Sequence, residues 1–555
     1  MDSISAESLQ QRIDDEINSL QDSIRALKFR RNALAPISRL PPETLATIFS
    51  FLLFSSLNKQ LNHSTRICVA RVCSRWRETA LNYPHFWSHI NFNTLMPAAM
   101  AEILTRAKMA PLHLEAHVTE MSRKQLHAFK RQLEAHISHT CHLYISGAYL
   151  QYMLSRLISS APTLESLTLV QLEVEIPMVV VPSDLFNGTT PSLTSLELRG
   201  CNISWKAPLL KGLQTLMIEL VGPSTEERPN LKHWLDGLDQ MPQLETLVFR
   251  YASPSASVAA PLISEPSRTV TLSSLTRFGI VASAEDCVLA LTHLALPSLT
   301  WLHVEAESHE SEGEDVQLLI PYIARNVYVL QGTEQLRSIL VDGHSGCAIV
   351  HAWTTFNDPD LVRKPVPENL IFTARGNNWH LGVDTAILNT LLTTLPLNSV
   401  SILTSRSITE LSKEFWLSHV PRWPMLERAS LNPTTIKAFR DMLAEDAPPD
   451  GPRLPSLTKL ILVDAALNVS RAYDLRDMLL ERVEQGAPLQ VLDLRTCVAD
   501  DRAIRLLGEI VVDVQEPLAS RPSMRMRGRM RGRQLQSAWY PDTKDADGVE
   551  YDYEY

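Results

Sequence analysis

Cysteine is sparse and scattered: seven residues among 555, each standing alone at positions 68, 73, 141, 201, 287, 347 and 497. The count is odd and no two of them form a C-x-x-C pair. A disulfide framework and a structural zinc site are therefore not expected, and reduced thiols in the cytosol or nucleus fit better. Long apolar runs are missing too. Stretches such as Ile48–Leu53 and Met178–Val181 are far too short to cross a bilayer, so no membrane association is expected. No charged segment followed by an apolar one opens the sequence, so no secretory signal is expected, and the N-x-S/T triplets at Asn62, Asn187, Asn202 and Asn468 read as chance matches. Charge is short of any dominant sign. A formal net charge of −10 is mild at this length and carries no nucleic-acid signature. Phosphate-cradling and nucleophile motifs are absent: there is no G-x-x-x-x-G-K-[ST], no G-x-S-x-G and no G-x-G-x-x-G. No cofactor and no catalytic residue is expected.

What is present is an ordinary globular composition, 45% hydrophobic and 21% charged, long enough for two to four domains as a soft expectation. Residues 5–36 predict one helix. Ile13, Ile17, Leu20, Ile24, Leu27 and Leu34 follow steps of four and three, with Arg31 breaking the series. Acids lead (Glu7, Asp14, Asp15, Glu16) and bases trail (Arg25, Lys28, Arg30, Arg31), matching the helix dipole. Ala35-Pro36 ends it. Roughly three heptads leave two readings open: a helix packed on its own domain or solvated, and weak self-association.

Residues 37–92 predict a compact helix cluster. Leu40-Pro41-Pro42-Glu43 opens a helix with an apolar stripe of Leu45, Ile48, Phe49 and Leu52. Val69, Val72, Cys73 and Trp76 form a second helical face, and Phe86-Trp87 closes the segment. So few residues bury too little surface to stand alone, so a partner is expected for part of the apolar face.

Residues 93–146 read as a transition. In Pro111–Val118 apolar and polar residues alternate with period two, which predicts a half-buried strand. That places His113, Glu115 and His117 together on the face opposite Leu112, Leu114 and Ala116. The order H-L-E-A-H is not H-E-x-x-H, so a solvent-facing stripe is preferred to a metal site.

From 147 to 512 the phrase L-x-x-L-x-L recurs. Copies stand at Leu164/Leu167/Leu169, Leu193/Leu196/Leu198, Leu213/Leu216/Ile218, Leu244/Leu247/Phe249, Leu275/Phe278/Ile280 and Leu299/Leu302/Val304. Weaker ones follow at Leu336/Ile339/Val341 and Leu426/Ala429/Leu431, and clear ones return at Leu457/Leu460/Leu462 and Leu489/Leu492/Leu494. Amphipathic helical stretches lie between them. One strand and one helix cannot bury their apolar faces alone, so stacking into a parallel sheet with helices outside is expected. Residues 343–398 hold no clean copy and predict an insertion or a degraded repeat, and Ser253–Thr269 predicts a loop. Side chains alternate along a strand. Glu197, Arg199, Glu219, Arg250, Trp301, His303, Glu305, Asp342, Arg428, Lys459, Asp493 and Arg495 should therefore face solvent from the concave side. Arg199, Arg250, Trp301, His303, Arg428 and Arg495 are the candidate substrate-binding residues, with Trp301 as an aromatic anchor or a residue packed against its neighbours. Residues 513–555, Arg-rich and then acidic, predict a disordered, self-screening tail.

The ordered series from Ile37-Ser38-Arg39-Leu40-Pro41-Pro42-Glu43 to Asn82-Tyr83-Pro84-His85-Phe86-Trp87 resembles the F-box. The chain as a whole resembles fungal (basidiomycete-type) F-box proteins with an N-terminal heptad helix and irregular leucine-rich repeats. The fold the resemblance implies is α/β: an N-terminal helix and a small all-α F-box, then a leucine-rich-repeat solenoid with the parallel sheet concave and the helices convex. The function it implies is the substrate receptor of an SCF-type cullin–RING ubiquitin ligase. The box would dock a Skp-family adaptor and the repeats would hold an unknown protein target. Carried over by position, Leu40, Pro41, Leu45, Ile48, Phe49 and Leu52 would meet the adaptor from the first helix, and Val69, Val72, Cys73 and Trp76 would belong to the later helices, some facing the adaptor and some the box's own core. Leu57–Ser64 departs from the family in being polar. The alternative is a repeat scaffold outside any ligase, self-associating through the N-terminal helix.

Overall fold

A computed structural model of the chain describes residues 5–54, 61–94, 96–155, 157–171, 173, 178–221, 228–256, 268–330, 335–344, 346–356, 367–377, 379–406, 411–445 and 451–517. These fall into two compact units, one ending at Thr194 and the other starting at Ser195. The division falls inside the stretch expected to form one repeat region. No helix among the described residues is long and apolar enough to cross a membrane.

The first unit begins with helix α1 (Ser5–Ala33), followed by α2 (Pro42–Phe54), α3 (Leu61–Val72) and α4 (Ser74–Leu81). The polar segment 57–64 is not all linker, because α3 already starts at Leu61. Cys73 caps α4, its sulfur accepting from the Trp76 amide at 3.5 Å. Strand β1 (His89–Asn91) follows, then α5 (Pro97–Ala107), β2 (Leu112–His117), α6 (Arg123–His136), β3 (Thr140–Ser146), α7 (Leu150–Leu154) and β4 (Ser166–Val170). Helix α6 opens on a full capping box between Ser122 and Gln125, which satisfies amides that the first turn leaves unpaired. The four strands are parallel, and Ile90, Leu114, Leu143 and Leu167 stand in register across them. All four are buried. The region expected as a transition thus supplies rungs of the same sheet as the first leucine phrase. The alternation in β2 is as the period-two pattern predicts: Leu112, Leu114 and Ala116 are buried, and His113, Glu115 and His117 are half-buried.

The second unit holds β5 (Ser195–Arg199), β6 (Thr215–Glu219), α8 (Leu231–Asp239), β7 (Thr246–Arg250), β8 (Arg277–Ser283), α9 (Ala284–His293), β9 (Trp301–Ser308) and α10 (Glu314–Leu330). It continues with β10 (Ser338–His344), β11 (Cys347–Trp353), β12 (Leu370–Gly376), α11 (Val383–Thr394), β13 (Ile402–Ser405), α12 (Lys413–His419), β14 (Arg428–Leu431) and α13 (Pro433–Leu443). Last come β15 (Lys459–Leu462), α14 (Val469–Glu484), β16 (Val491–Asp493), α15 (Asp501–Gly508) and β17 (Asp513–Gln515). The leucine phrases set the register: Leu216, Leu247, Phe278 and Leu302 pair in line, as do Ala429, Leu460 and Leu492. Every one of these is buried, and α9 packs on both β8 and β9.

The stretch without a clean phrase is a reordering of the sheet. Strand β10 does not lie beside β9. It pairs antiparallel with β11, which pairs antiparallel with β12, and β12 returns to lie parallel to β9. Strand β13 then pairs with the far side of β10. The spatial order here is β9-β12-β11-β10-β13, and β11 is the one antiparallel strand among the described pairings of this sheet. The sheet also runs past the expected limit of 512. Asp513 pairs with Val491 and Gln515 with Asp493, so β17 belongs to the fold. The rest of the expected tail, 518–555, lies outside the described residues, as do 257–267 of the expected loop.

Arginines tie successive turns together. Arg325 of α10 donates to the Leu291 and Leu294 carbonyls at 2.6 and 3.3 Å. Arg422 donates to Leu392 and Leu395 at 2.8 and 3.0 Å. Arg482 of α14, 1% exposed, donates to Arg453, Leu454 and Leu457 at 2.8, 3.1 and 3.5 Å. In each case a long side chain supplies donors to carbonyls at a helix end or turn about thirty residues earlier in the chain.

Candidate functional site

The 3.6-residue period divides α2 into two faces. Leu45 and Phe49 are fully buried, Phe49 packing at 4.9 Å from the Trp76 ring and 5.8 Å from Phe86. Thr44 and Phe51 are exposed and Ile48 is half-buried on the other side; Phe51 is 67% exposed. Pro41, just ahead of the helix, is exposed as well, and Leu40 is half-buried.

The entry into α2 is held by Arg75 of α4, whose guanidinium donates to the Ser38 and Leu40 carbonyls. The closing Phe86-Trp87 turn is held by Arg66 of α3. Arg66 is 2% exposed and donates from Nε to the Phe86 carbonyl at 2.9 Å and from its terminal nitrogen to the His89 carbonyl. Burial lowers its pKa to about 10, which leaves it cationic at neutral pH. The Trp87 indole donates to the Ala80 carbonyl at 2.7 Å and lies under the Arg106 guanidinium at 4.7 Å.

The candidate adaptor residues therefore separate. Leu45 and Phe49, expected to meet the adaptor, are instead inside the box's own core, where the helices turn them toward one another, and Val69 takes the core side of the two places open to it. Cys73 and Trp76 are half-buried, one as a helix cap and one against Phe49. Leu40, Pro41 and Ile48 remain at the surface, and Val72 is 57% exposed. Leu52 is in α2, but its side chain lies outside the described ones. Phe51 is the residue the sequence reading passed over. The signal for it was there: it is three residues from Ile48 and on the same face.

Directly behind the box, three imidazoles stack across β1, β2 and β3. His89 lies 4.0 Å from His113 at an interplanar angle of 12°, and His113 lies 4.2 Å from His142 at 13°. Burial first, then Arg66 and the neighbouring histidines, lowers the His89 pKa to about 4. Burial and the flanking rings lower that of His113 to about 3. Burial also lowers His142, against the opposing pull of Glu165. Parallel rings in a stack cannot aim their nitrogens at one point, and no metal-holding group of His, Cys, Asp or Glu occurs among the described residues. His117 instead meets Glu115 at 3.3 Å and the Ser146 hydroxyl at 2.6 Å.

On the second unit, the strip expected to face solvent is buried at Trp301, His303, Glu305 and Asp493 and half-buried or exposed elsewhere. Trp301 is 4% exposed and His303 fully buried, so both are corrected as accessible contacts. The Arg277 guanidinium lies over the Trp301 ring at 4.4 Å, and His303 meets that ring edge-on at 5.7 Å. Burial, with the charges of His351, Arg250 and Arg375, pushes the His303 pKa well down. Glu305 is buried and paired with Arg375 at 2.8 Å. On the same face, Met217, Val248 and Val281 form a buried apolar cluster against Tyr251. The sequence shows the apolar residues at these outward positions, and they, more than the charges, set the character of this face.

The remaining charges pair along the strands. Arg199 bonds Glu197 at 2.6 Å, Arg250 lies 3.3 Å from Glu219, and Arg495 and Lys459 share Asp493 at 2.7 and 3.6 Å. Asp493 is buried, which raises its pKa, but its bonds to Arg495 outweigh this and hold it below the usual carboxylate value. Asp342 is half-buried and Arg428 exposed.

A family model described as F-box-like matches residues 37–93. These are the helices α2 to α4, the Phe86-Trp87 turn and β1, so the helix cluster is an F-box-like domain. Among curated proteins, none matches this chain.

Proposed function

We propose that this chain is a non-catalytic substrate receptor of an SCF-type ubiquitin ligase. Its F-box-like domain would dock a Skp-family adaptor, and its second unit, read as an irregular leucine-rich-repeat solenoid, would hold a protein target. The observation that carries the reading is the F-box-like domain with an apolar, outward α2 face: Pro41, Ile48 and Phe51. Such a protein acts by proximity, raising the effective concentration of target lysines beside a charged conjugating enzyme. For the target, an acidic or phosphorylated segment would meet the exposed Arg428 directly and would have to compete with Glu197, Glu219 and Asp493 for Arg199, Arg250 and Arg495.

The test is capture of purified Skp-family adaptor by the full chain. Ile48→Asp together with Phe51→Asp places two charges on the exposed face without touching Leu45 or Phe49. Adaptor capture should be lost while the circular dichroism spectrum is kept. Undiminished capture by the doubly substituted chain would remove the α2 face from the reading, and no capture by the unsubstituted chain would favour a scaffold outside any ligase.

A further inference from the structure

Helix α1 stands with its apolar stripe in water. Ile13, Ile17, Leu20, Ile24 and Leu27 are 50, 45, 58, 51 and 62% exposed, and Leu34 just beyond the helix is 80% exposed. Their steps of four and three average 3.5 residues, the period of the seam between two supercoiled helices. Heptad lettering puts Ile17 and Ile24 at a, and Leu20, Leu27 and Leu34 at d. Gln10 and Arg31 occupy the outer a positions, so the centre of the seam is apolar and its ends are polar.

The charges beside the seam decide what covers it. Asp14 and Lys28 are e positions and Glu16 and Arg30 are g positions, the acids in the first half of the helix and the bases in the second. Two parallel copies would set Glu16 against Gln21 and Ser23 against Lys28, with no opposite charges meeting and like halves side by side. Two antiparallel copies, with Ile17 against Leu27 and Leu20 against Ile24, bring Asp14 beside Lys28 and Glu16 beside Arg30. Two-fold symmetry makes each of these contacts twice. The same register sets Ile13 against Arg31, whose aliphatic stem can cover it while the charge stays in water. Asp22 already has a partner in its own helix, Arg25 at 2.5 Å, which takes the central charges out of the choice.

We propose that a second copy of this chain covers the α1 stripe, the two helices pairing antiparallel about an axis near Asp22. The two F-box-like domains then leave from opposite ends of a rod of roughly 40 Å. This pairing does not depend on adaptor docking.

Sedimentation velocity on the full chain tests it. The unsubstituted protein should be dimeric at tens of micromolar. Lys28→Glu with Arg30→Glu turns four attractive contacts repulsive and should weaken the dimer roughly a hundredfold. Asp14→Lys with Glu16→Lys should do the same, and the two variants mixed should regain the dimer, since each supplies the charges the other lost. Orientation is read with Gln10→Cys and Leu34→Cys made separately in a Cys68→Ser chain. A short bis-maleimide should join the two variants to each other and should not join Gln10→Cys to itself. A monomer at all concentrations, no rescue on mixing, or self-joining of Gln10→Cys would each overturn the proposal.

Discussion

Lowering the pH should loosen the joint between the F-box-like domain and the sheet through the histidine stack. In the unfolded chain each imidazole takes up a proton near pH 6.5. Folded, His89 stays neutral to about pH 4 and His113 to about pH 3. The unfolded state therefore binds more protons below pH 6.5. Stability is full above that value and falls as the pH drops toward the folded pKa values. Between pH 6.5 and 5.0 the loss is about 2 kcal/mol for each of the two rings, about 4 kcal/mol together, and about 2 to 4 kcal/mol once their partial exposure is allowed for. His142 is left out of the sum because its side chain is 44% exposed. The groups facing the stack are Arg66, His85 and Glu165, and only the last favours protonation. The assay is urea unfolding of the full chain at pH 7.5 and 5.0, followed by proteolytic cleavage within residues 89–146. His113→Phe keeps a stacked ring that cannot titrate and should recover about half of the loss. If the drop from pH 7.5 to 5.0 is as large in His113→Phe as in the unsubstituted chain, the stack is not its source.

Leu45→Asp should unfold the box, costing roughly 3 to 5 kcal/mol, because it sets a charge inside the core instead of on the docking face; loss of the thermal transition of α2 to α4 would be the sign, in contrast to Ile48→Asp with Phe51→Asp. Arg482→Met strips donors from the Arg453 and Leu454 carbonyls and should cost roughly 3 to 5 kcal/mol, read as a lower urea midpoint of the second unit. Trp301→Ala removes a buried ring from between Arg277 and His303 and should destabilise by roughly 3 to 5 kcal/mol. Destabilisation together with lost target binding would mark Trp301 as structural, and lost binding at full stability would restore it as a contact.

The leucine phrases were legible because a strand rung repeats a local pattern: Leu247, Phe278 and Leu302 can be named without knowing what they touch, and they pair in register. The rungs that escaped carry other residues at the same places. In β13 Leu403 pairs with Ile339 while Ser405 takes the place opposite Val341. The character of the outward face was harder to read. Alternation tells which residues share a face, but whether that face meets water is set by segments remote in sequence. His303 and Trp301 were assigned to their face by alternation alone, and their burial could not be. The arginine ties were hidden for the same reason, each acceptor lying about thirty residues from its donor, as in Arg482 and Arg453. In the box, the helical period sorts Leu45 and Phe49 from Ile48 and Phe51, and the family series by itself does not.

The reordered strands bear on how the second unit is made. In a ladder built in chain order, each new strand closes the edge left by the one before it. Here the edge of Ser308 and its strand stays open until Leu370 has been synthesised, because the strand beginning at Ser338 pairs elsewhere. An unpaired edge recruits other strands, so a nascent chain halted between these points would present one. A second edge, the far side of Ser338–His344, closes only when Ile402–Ser405 pairs with it, so truncations between residues 344 and 370 should aggregate more than truncations after residue 405.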